Sequence, residues 1–289
     1  MSSTFKRALS WGGSALGILG VAFVALKLFD YGNRVPMNRI GIGQWFGIAA
    51  LSLAYGASGF LLAIAWRDIL RHLGVTVRRD WAAWAYGVSQ LAKYVPGNVF
   101  HLAGRQALGA SAGLPQWPLG KSLVWELGTI AVMAALFALW TIPSFLPLPV
   151  WVALFVFACA ASGAIAIIHR GFSPDLARAA ALQLVFLALS GTIFAALFKL
   201  LGGGWNWVPV GGAYVVAWLI GLVTPGAPAG VGVREAVLFF LLRPLLGQAD
   251  LLEIILIGRL VTAAGDLAFF LSASVCFSGR PTGLLVETA

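Results

Sequence analysis

The sequence predicts an all-α, polytopic membrane protein. Hydrophobic residues make up 60% of the 289 positions and charged residues only 10%, with a mean hydropathy of +0.92. An ordinary soluble domain carries about 25% charged residues, so too few polar groups remain here to cover a surface facing water. The apolar residues also fall in runs of roughly 20, the length an α-helix needs to cross the hydrocarbon core of a bilayer. Finally, a Pro-Gly pair interrupts each of two long apolar regions. No long polar stretch sets off a second unit, so residues 1–289 read as one integral membrane domain.

Lys6 and Arg7 precede an apolar run ending near Phe29. The run has nearly full spanning length and no convincing small-residue cleavage site follows it, so 9–29 reads as an uncleaved first helix rather than a signal peptide. Further spans are predicted near 43–66, 119–142, 149–168, 175–200 and 251–276, about six full transmembrane helices in all. The two Pro-Gly regions, 83–116 and 208–246, are each long enough for two half-helices that enter the membrane and return, or for two short complete spans. As re-entrant hairpins they bring the total to eight or more membrane segments.

Helix-end chemistry supports particular boundaries. Ser173-Pro174-Asp175 combines an N-cap, a proline at the first helical position and an acid in the first turn. Asp250 with Glu253 resembles a capping box before the last span. Trp66, Trp81, Trp84, Trp117, Trp151, Trp205 and Trp207 fall near proposed ends, as interfacial anchors do. Cys159 and Cys276 lie in apolar segments and read as small buried hydrophobes, with no disulfide or metal-ligand pattern.

Net charge is +9 and the pI about 10.2. In a soluble protein that balance suggests nucleic acid; here the cations cluster near the ends of apolar runs, where they set topology, and no nucleic-acid partner is expected. Lys6, Arg7, Arg67, Arg71, Arg78, Arg79, Arg170, Arg178 and Arg280 all fall on one side if both interrupted regions are returns. That side is then cytoplasmic, making the chain a multi-pass, N-in and C-in protein of the cell membrane, with a bacterial inner membrane as the expected location. Arg34 and Arg39, in the first outer connection, run against the pattern.

The two interruptions resemble each other. Pro96-Gly97 is followed by Arg105, and Pro225-Gly226 by Arg234, each arginine nine residues after its proline. With their flanking spans the two regions form an inverted repeat, the arrangement behind many alternating-access transporters. Proline removes a backbone donor and glycine tolerates the bend. The helix that restarts after such a break points free N–H groups into it, an arrangement that favours anions. Gly230 and Gly232 extend the second break.

Candidate substrate-binding groups follow from this. Lys93, Asn98, His101 and Arg105 surround the first break; Arg234 and Glu235 follow the second. Glu126, Arg259 and Asp266 sit inside spans, where a charge costs roughly 2.5–3.5 kcal/mol and so has to meet a partner inside the bundle. The expected pairing is Arg259 with Glu126 or Asp266, which leaves Arg105 and Arg234 freer for substrate. Glu235 is expected to neutralise a neighbouring cation and to suit a helix N-terminus. No metal-ligand cluster, catalytic constellation or cofactor motif emerges; the GxG at Gly230 and Gly232 lacks a nucleotide-binding fold around it.

The chain resembles the lysylphosphatidylglycerol synthase transmembrane region, a flippase-like domain family. The likeness rests on Lys93-Tyr94-Val95-Pro96-Gly97 with Arg105, and on Thr224-Pro225-Gly226 through Gly232-Val233-Arg234-Glu235-Ala236. After the first Pro-Gly the family often carries Gly-Glu, where this sequence reads Asn98-Val99-Phe100-His101. The resemblance implies a stand-alone membrane domain, without the soluble synthase part, that translocates a polar or anionic lipid: a phospholipid, an aminoacyl-phospholipid or a lipid-linked sugar. Partners would be membrane lipids, with a homo-oligomer or a glycosyltransferase of envelope biosynthesis as further candidates. Two alternatives stand beside this expectation: an intramembrane transferase acting on a lipid phosphate, with Glu126 or His101 as base, and a non-transporting accessory subunit of an envelope-assembly machine.

Overall fold

The computed structural model describes residues 40–95, 100–204, 206–224 and 228–277, together with Leu26. The first predicted span at 9–29, Arg34, Arg39, Pro96, Gly97, Asn98, Trp205, Pro225, Gly226 and Arg280 lie outside the described residues. Every regular element among the described residues is helical.

Five helices are long and apolar enough to cross a membrane. Helix α1 spans Ile42–His72. After α2 (Arg79–Gln90), a 3-10 turn (Leu91–Tyr94) and α3 (Phe100–Ser111) comes α4 (Gln116–Leu136), continued by the short α5 (Ala138–Thr141). Then follow α6 (Val150–Gly171), α7 (Pro174–Leu200), α8 (Trp207–Val223), a 3-10 turn (Pro228–Gly230), α9 (Val233–Leu242) and α10 (Gln248–Cys276). The long helices match the predicted spans to within a turn or two. At 1.5 Å per residue, α2 and α3 each extend about 18 Å and α9 about 15 Å, short of the roughly 30 Å of hydrocarbon.

The packing maps onto itself when α1, α2, α3 and α4 are exchanged for α7, α8, α9 and α10. α1 packs on α2 as α7 packs on α8; α3 packs on α4 as α9 packs on α10; α2 packs on α10 as α8 packs on α4 and its continuation α5. The exchange runs each helix backwards. α1 and α7 are antiparallel, because Gln44 near the start of α1 donates to the Leu200 carbonyl at the end of α7 (3.0 Å), while Asp68 near the end of α1 accepts from Arg178 near the start of α7. α2 starts beside the C-terminal end of α1, with Trp81 against Trp66, whereas α8 starts at the far end of the bundle, with Trp207 against Trp140.

The α1–α7 seam is closed at one end by a reciprocal clasp. Each helix carries Asp-x-x-Arg, as Asp68/Arg71 and Asp175/Arg178. Arg178 grips the fully buried Asp68 through two hydrogen bonds of 2.6 Å, and Arg71 faces Asp175 at 3.5 Å. α1 also crosses α10 with backbone in contact: a Cβ on Gly56 would lie 2.6 Å from the Gly265 carbonyl oxygen. Small residues at such crossings allow the close approach that apolar solvent does not drive by itself.

The Ser173 cap is present: its side chain accepts from the Leu176 N–H (3.1 Å), with Pro174 and Asp175 in the first turn. Three expectations are corrected. α10 begins at Gln248 after Gly247, which places Asp250 inside the first turn rather than at the cap. Trp66 and Trp81 are core residues, not interfacial anchors, because α1 continues a further turn and more past Trp66 and α2 packs over it. Trp117, Trp151 and Trp207 do face outward. Cys159 and Cys276 are exposed, on helix faces turned away from the bundle.

Candidate functional site

The ends of the two interrupted segments meet in the middle of the bundle, where the Leu91–Tyr94 turn touches the Pro228–Gly230 turn. Beside them opens a cleft of about 90 Å³ walled by both halves of the protein. Lys93, His101 and Glu126 come from the first half, Ala229 and Arg234 from the second, with Tyr55, Phe186 and Trp218 as aromatic wall.

The first-half arginine is neutralised internally. Arg105, on the second turn of α3, is buried and hydrogen-bonds Glu126 of α4 at 2.5 Å. Its guanidinium lies 4.2 Å from the centre of the Tyr86 ring and 5.0 Å from Trp66. Tyr86 closes the unit by donating its hydroxyl to the other oxygen of Glu126 (2.9 Å). A charge held this way has the partner and the ring face that make burial tolerable.

The second-half arginine is placed alike and compensated differently. The stem of Arg234 threads a slot between two glycines: a Cβ on Gly221 would come within 2.4 Å of its Cγ, and one on Gly230 within 2.7 Å of its Cδ. Its guanidinium donates to the Tyr214 hydroxyl (3.1 Å) and lies 5.4 Å from that ring. Tyr86 and Tyr214 thus serve the two arginines alike, each from the helix preceding its interruption. The remaining buried arginines each have an acidic neighbour: Arg67 has Asp68, Arg105 has Glu126 and Arg259 has Glu235. Arg234, also buried and on the cleft wall, has no carboxylate within ion-pairing distance among the described residues.

The other charges brace the walls. Asp266 of α10 accepts from Lys93 (2.8 Å) and from the Tyr94 hydroxyl (2.6 Å), tying the first interruption to the last helix. Arg259 pairs with Glu235 at 2.7 Å and donates to the Ala229 carbonyl (3.1 Å). That second bond holds a strained backbone: Ala229 has φ +48°, and Gly230 and Gly232 follow at +69° and +85°. Glu235 also accepts from the Gly232 N–H (2.6 Å), satisfying the start of α9.

These contacts overturn the expected pairing. Arg259 meets Glu235, not Glu126 or Asp266, because α9 restarts alongside α10 and brings its first-turn acid to that cation. Arg105, expected to be left without a partner, is paired with Glu126 instead. Of the sequence-predicted site residues, Lys93, His101, Glu126 and Arg234 line the cleft; Arg105 and Asp266 stand directly behind Glu126 and Lys93; Glu235 and Arg259 brace the second turn. The expected neutralising role of Glu235 is present. His101 has its Nδ1 buried without a hydrogen-bond partner.

Sequence reasoning missed Tyr55, Tyr86, Tyr214 and Gly221. The chain has five tyrosines against twelve tryptophans. The four described ones, Tyr55, Tyr86, Tyr94 and Tyr214, are all buried at or beside the cleft. Their scarcity, and the spacing of Tyr86 and Tyr214 ahead of Arg105 and Arg234, was the available signal. No group of His, Cys, Asp and Glu suited to a metal occurs among the described residues. No protein-family model matches the chain, and no curated protein matches it.

Proposed function

We propose that the protein is a membrane transporter of the flippase kind, translocating a lipid whose anionic headgroup is held in the cleft by Arg234. The observation that carries this reading is a buried guanidinium on a cleft wall without an acidic partner among the described residues. Such a charge is costly unless something pairs with it, and an incoming anion does so. Lys93 and His101 line the same cleft from the other half as further donors. The aromatic surface of Tyr55, Phe186 and Trp218 offers an apolar flank for the rest of the headgroup or the first methylenes.

The packing exchange between the halves supports alternating access. Two short interrupted segments, entering from opposite ends and meeting midway, read as re-entrant elements of an inverted repeat. The α1–α7 seam, fastened at both ends, supplies the fixed axis on which the halves rock. One end of the bundle carries Arg67, Arg71, Arg78, Arg79, Arg170 and Arg178. By the positive-inside tendency that end is cytoplasmic.

The test is transbilayer movement in vesicles reconstituted with purified protein and carrying fluorescently labelled phosphatidylglycerol or phosphatidylcholine. Accelerated movement of the anionic lipid, abolished by Arg234→Gln in a protein that still folds, is the expected result. Equal rates with and without protein for the anionic lipid refute the reading.

A further inference from the structure

Resting on the translocation reading above, we propose that the cleft selects a group bearing a single negative charge, of the phosphodiester class, over a doubly charged phosphomonoester. The inference comes from how the wall charges are matched. Lys93 is balanced by Asp266 at 2.8 Å, and Glu126 by Arg105. Arg259 and Glu235 balance each other behind the second turn. Arg234 alone on the wall lacks a carboxylate among the described residues, so the cluster has one uncompensated positive charge.

The two halves explain why the vacancy is on this side. α4 supplies the carboxylate Glu126 to the arginine of its own half. At nearly the same distance along α10 the sequence places a cation, Arg259, which cannot neutralise Arg234. The ligand takes the place that a second Glu126 would have held. One charge completes the set. A phosphomonoester carries about −1.5 to −2 near neutral pH, with its second pKa near 6. Its second charge would have to break the Lys93–Asp266 or Arg105–Glu126 pair or stay uncompensated in a desolvated cleft. A diester oxyanion fits the fork of one arginine with neither cost.

Purified full-length protein in detergent, titrated at pH 8 by native mass spectrometry, tests this with four probes: phosphatidylglycerol, phosphatidic acid, phosphatidylcholine and the soluble diester glycerophosphoglycerol. Phosphatidylglycerol is expected to bind at least about tenfold more tightly than phosphatidic acid or phosphatidylcholine, since an unmatched buried charge is costly. Asp266→Asn, which leaves Lys93 unbalanced, is expected to shift the ratio toward phosphatidic acid by about tenfold. The wild-type preference needs no variant to fold. Phosphatidic acid binding as tightly as phosphatidylglycerol overturns the inference while leaving the lipid reading standing, as does an Asp266→Asn protein that folds with its preference unchanged. The soluble diester matching phosphatidylglycerol keeps the charge rule and removes the lipid. Binding of neither anionic lipid above phosphatidylcholine removes both.

Discussion

Arg105 and Arg234 hold corresponding places in the two halves, yet their replacement by glutamine should have very unequal consequences for stability. Arg105→Gln strands Glu126, which is 6% exposed and retains only the Tyr86 hydroxyl. Removing one partner of a buried ion pair typically costs about 3–5 kcal/mol. The lost stacking on Tyr86 and Trp66 adds about 0.5–2 kcal/mol. Arg234→Gln strands no described carboxylate. It gives up one hydrogen bond to Tyr214 and a ring contact, about 1–2 kcal/mol, and removes an uncompensated buried charge whose cost offsets that loss. The expected difference between the variants is therefore at least about 2 kcal/mol, with Arg105→Gln the less stable. Equilibrium unfolding in detergent, followed by tryptophan fluorescence, measures both. Equal destabilisation would refute the claim that the two arginines are compensated differently, and the function proposed for Arg234 with it.

Three further outcomes follow from the same contacts. Arg178→Gln should cost about 2–3 kcal/mol, since it breaks two charge-assisted bonds to a buried carboxylate, while Arg71→Gln at the other half of the clasp should cost under about 1 kcal/mol, both read from unfolding midpoints. Ala229→Gly should stabilise by about 0.5–1 kcal/mol by relieving a left-handed alanine; a loss of stability on unfolding would mean that φ +48° is not strained. Gly221→Ala should displace the Arg234 stem and weaken phosphatidylglycerol binding to the level of Arg234→Gln, and unchanged affinity in the same titration would contradict the glycine slot.

The boundaries of α1, α4, α6, α7 and α10 were legible in the sequence to within a turn or two, because spanning length and the Ser173 cap are local properties. The matched spacing from Pro-Gly to arginine pointed to Arg105 and Arg234 and to two halves related by exchange. The sequence equally determined that Glu126, Arg259 and Asp266 had to find partners, because lipid solvates no charge. Which partners they found was decided by tertiary structure. Arg259 took Glu235 because α9 restarts against α10, and Lys93 took Asp266 because the first interruption ends on that helix. Trp66 became core because α2 folds over it, a packing that no count of residues from a helix end reveals. Only the assembled bundle could leave Arg234 without a carboxylate among the described residues while giving Arg105 one. An ion pair is a matter of a few ångströms between helices distant in sequence, whereas helix length and hydropathy are settled within a single run of residues.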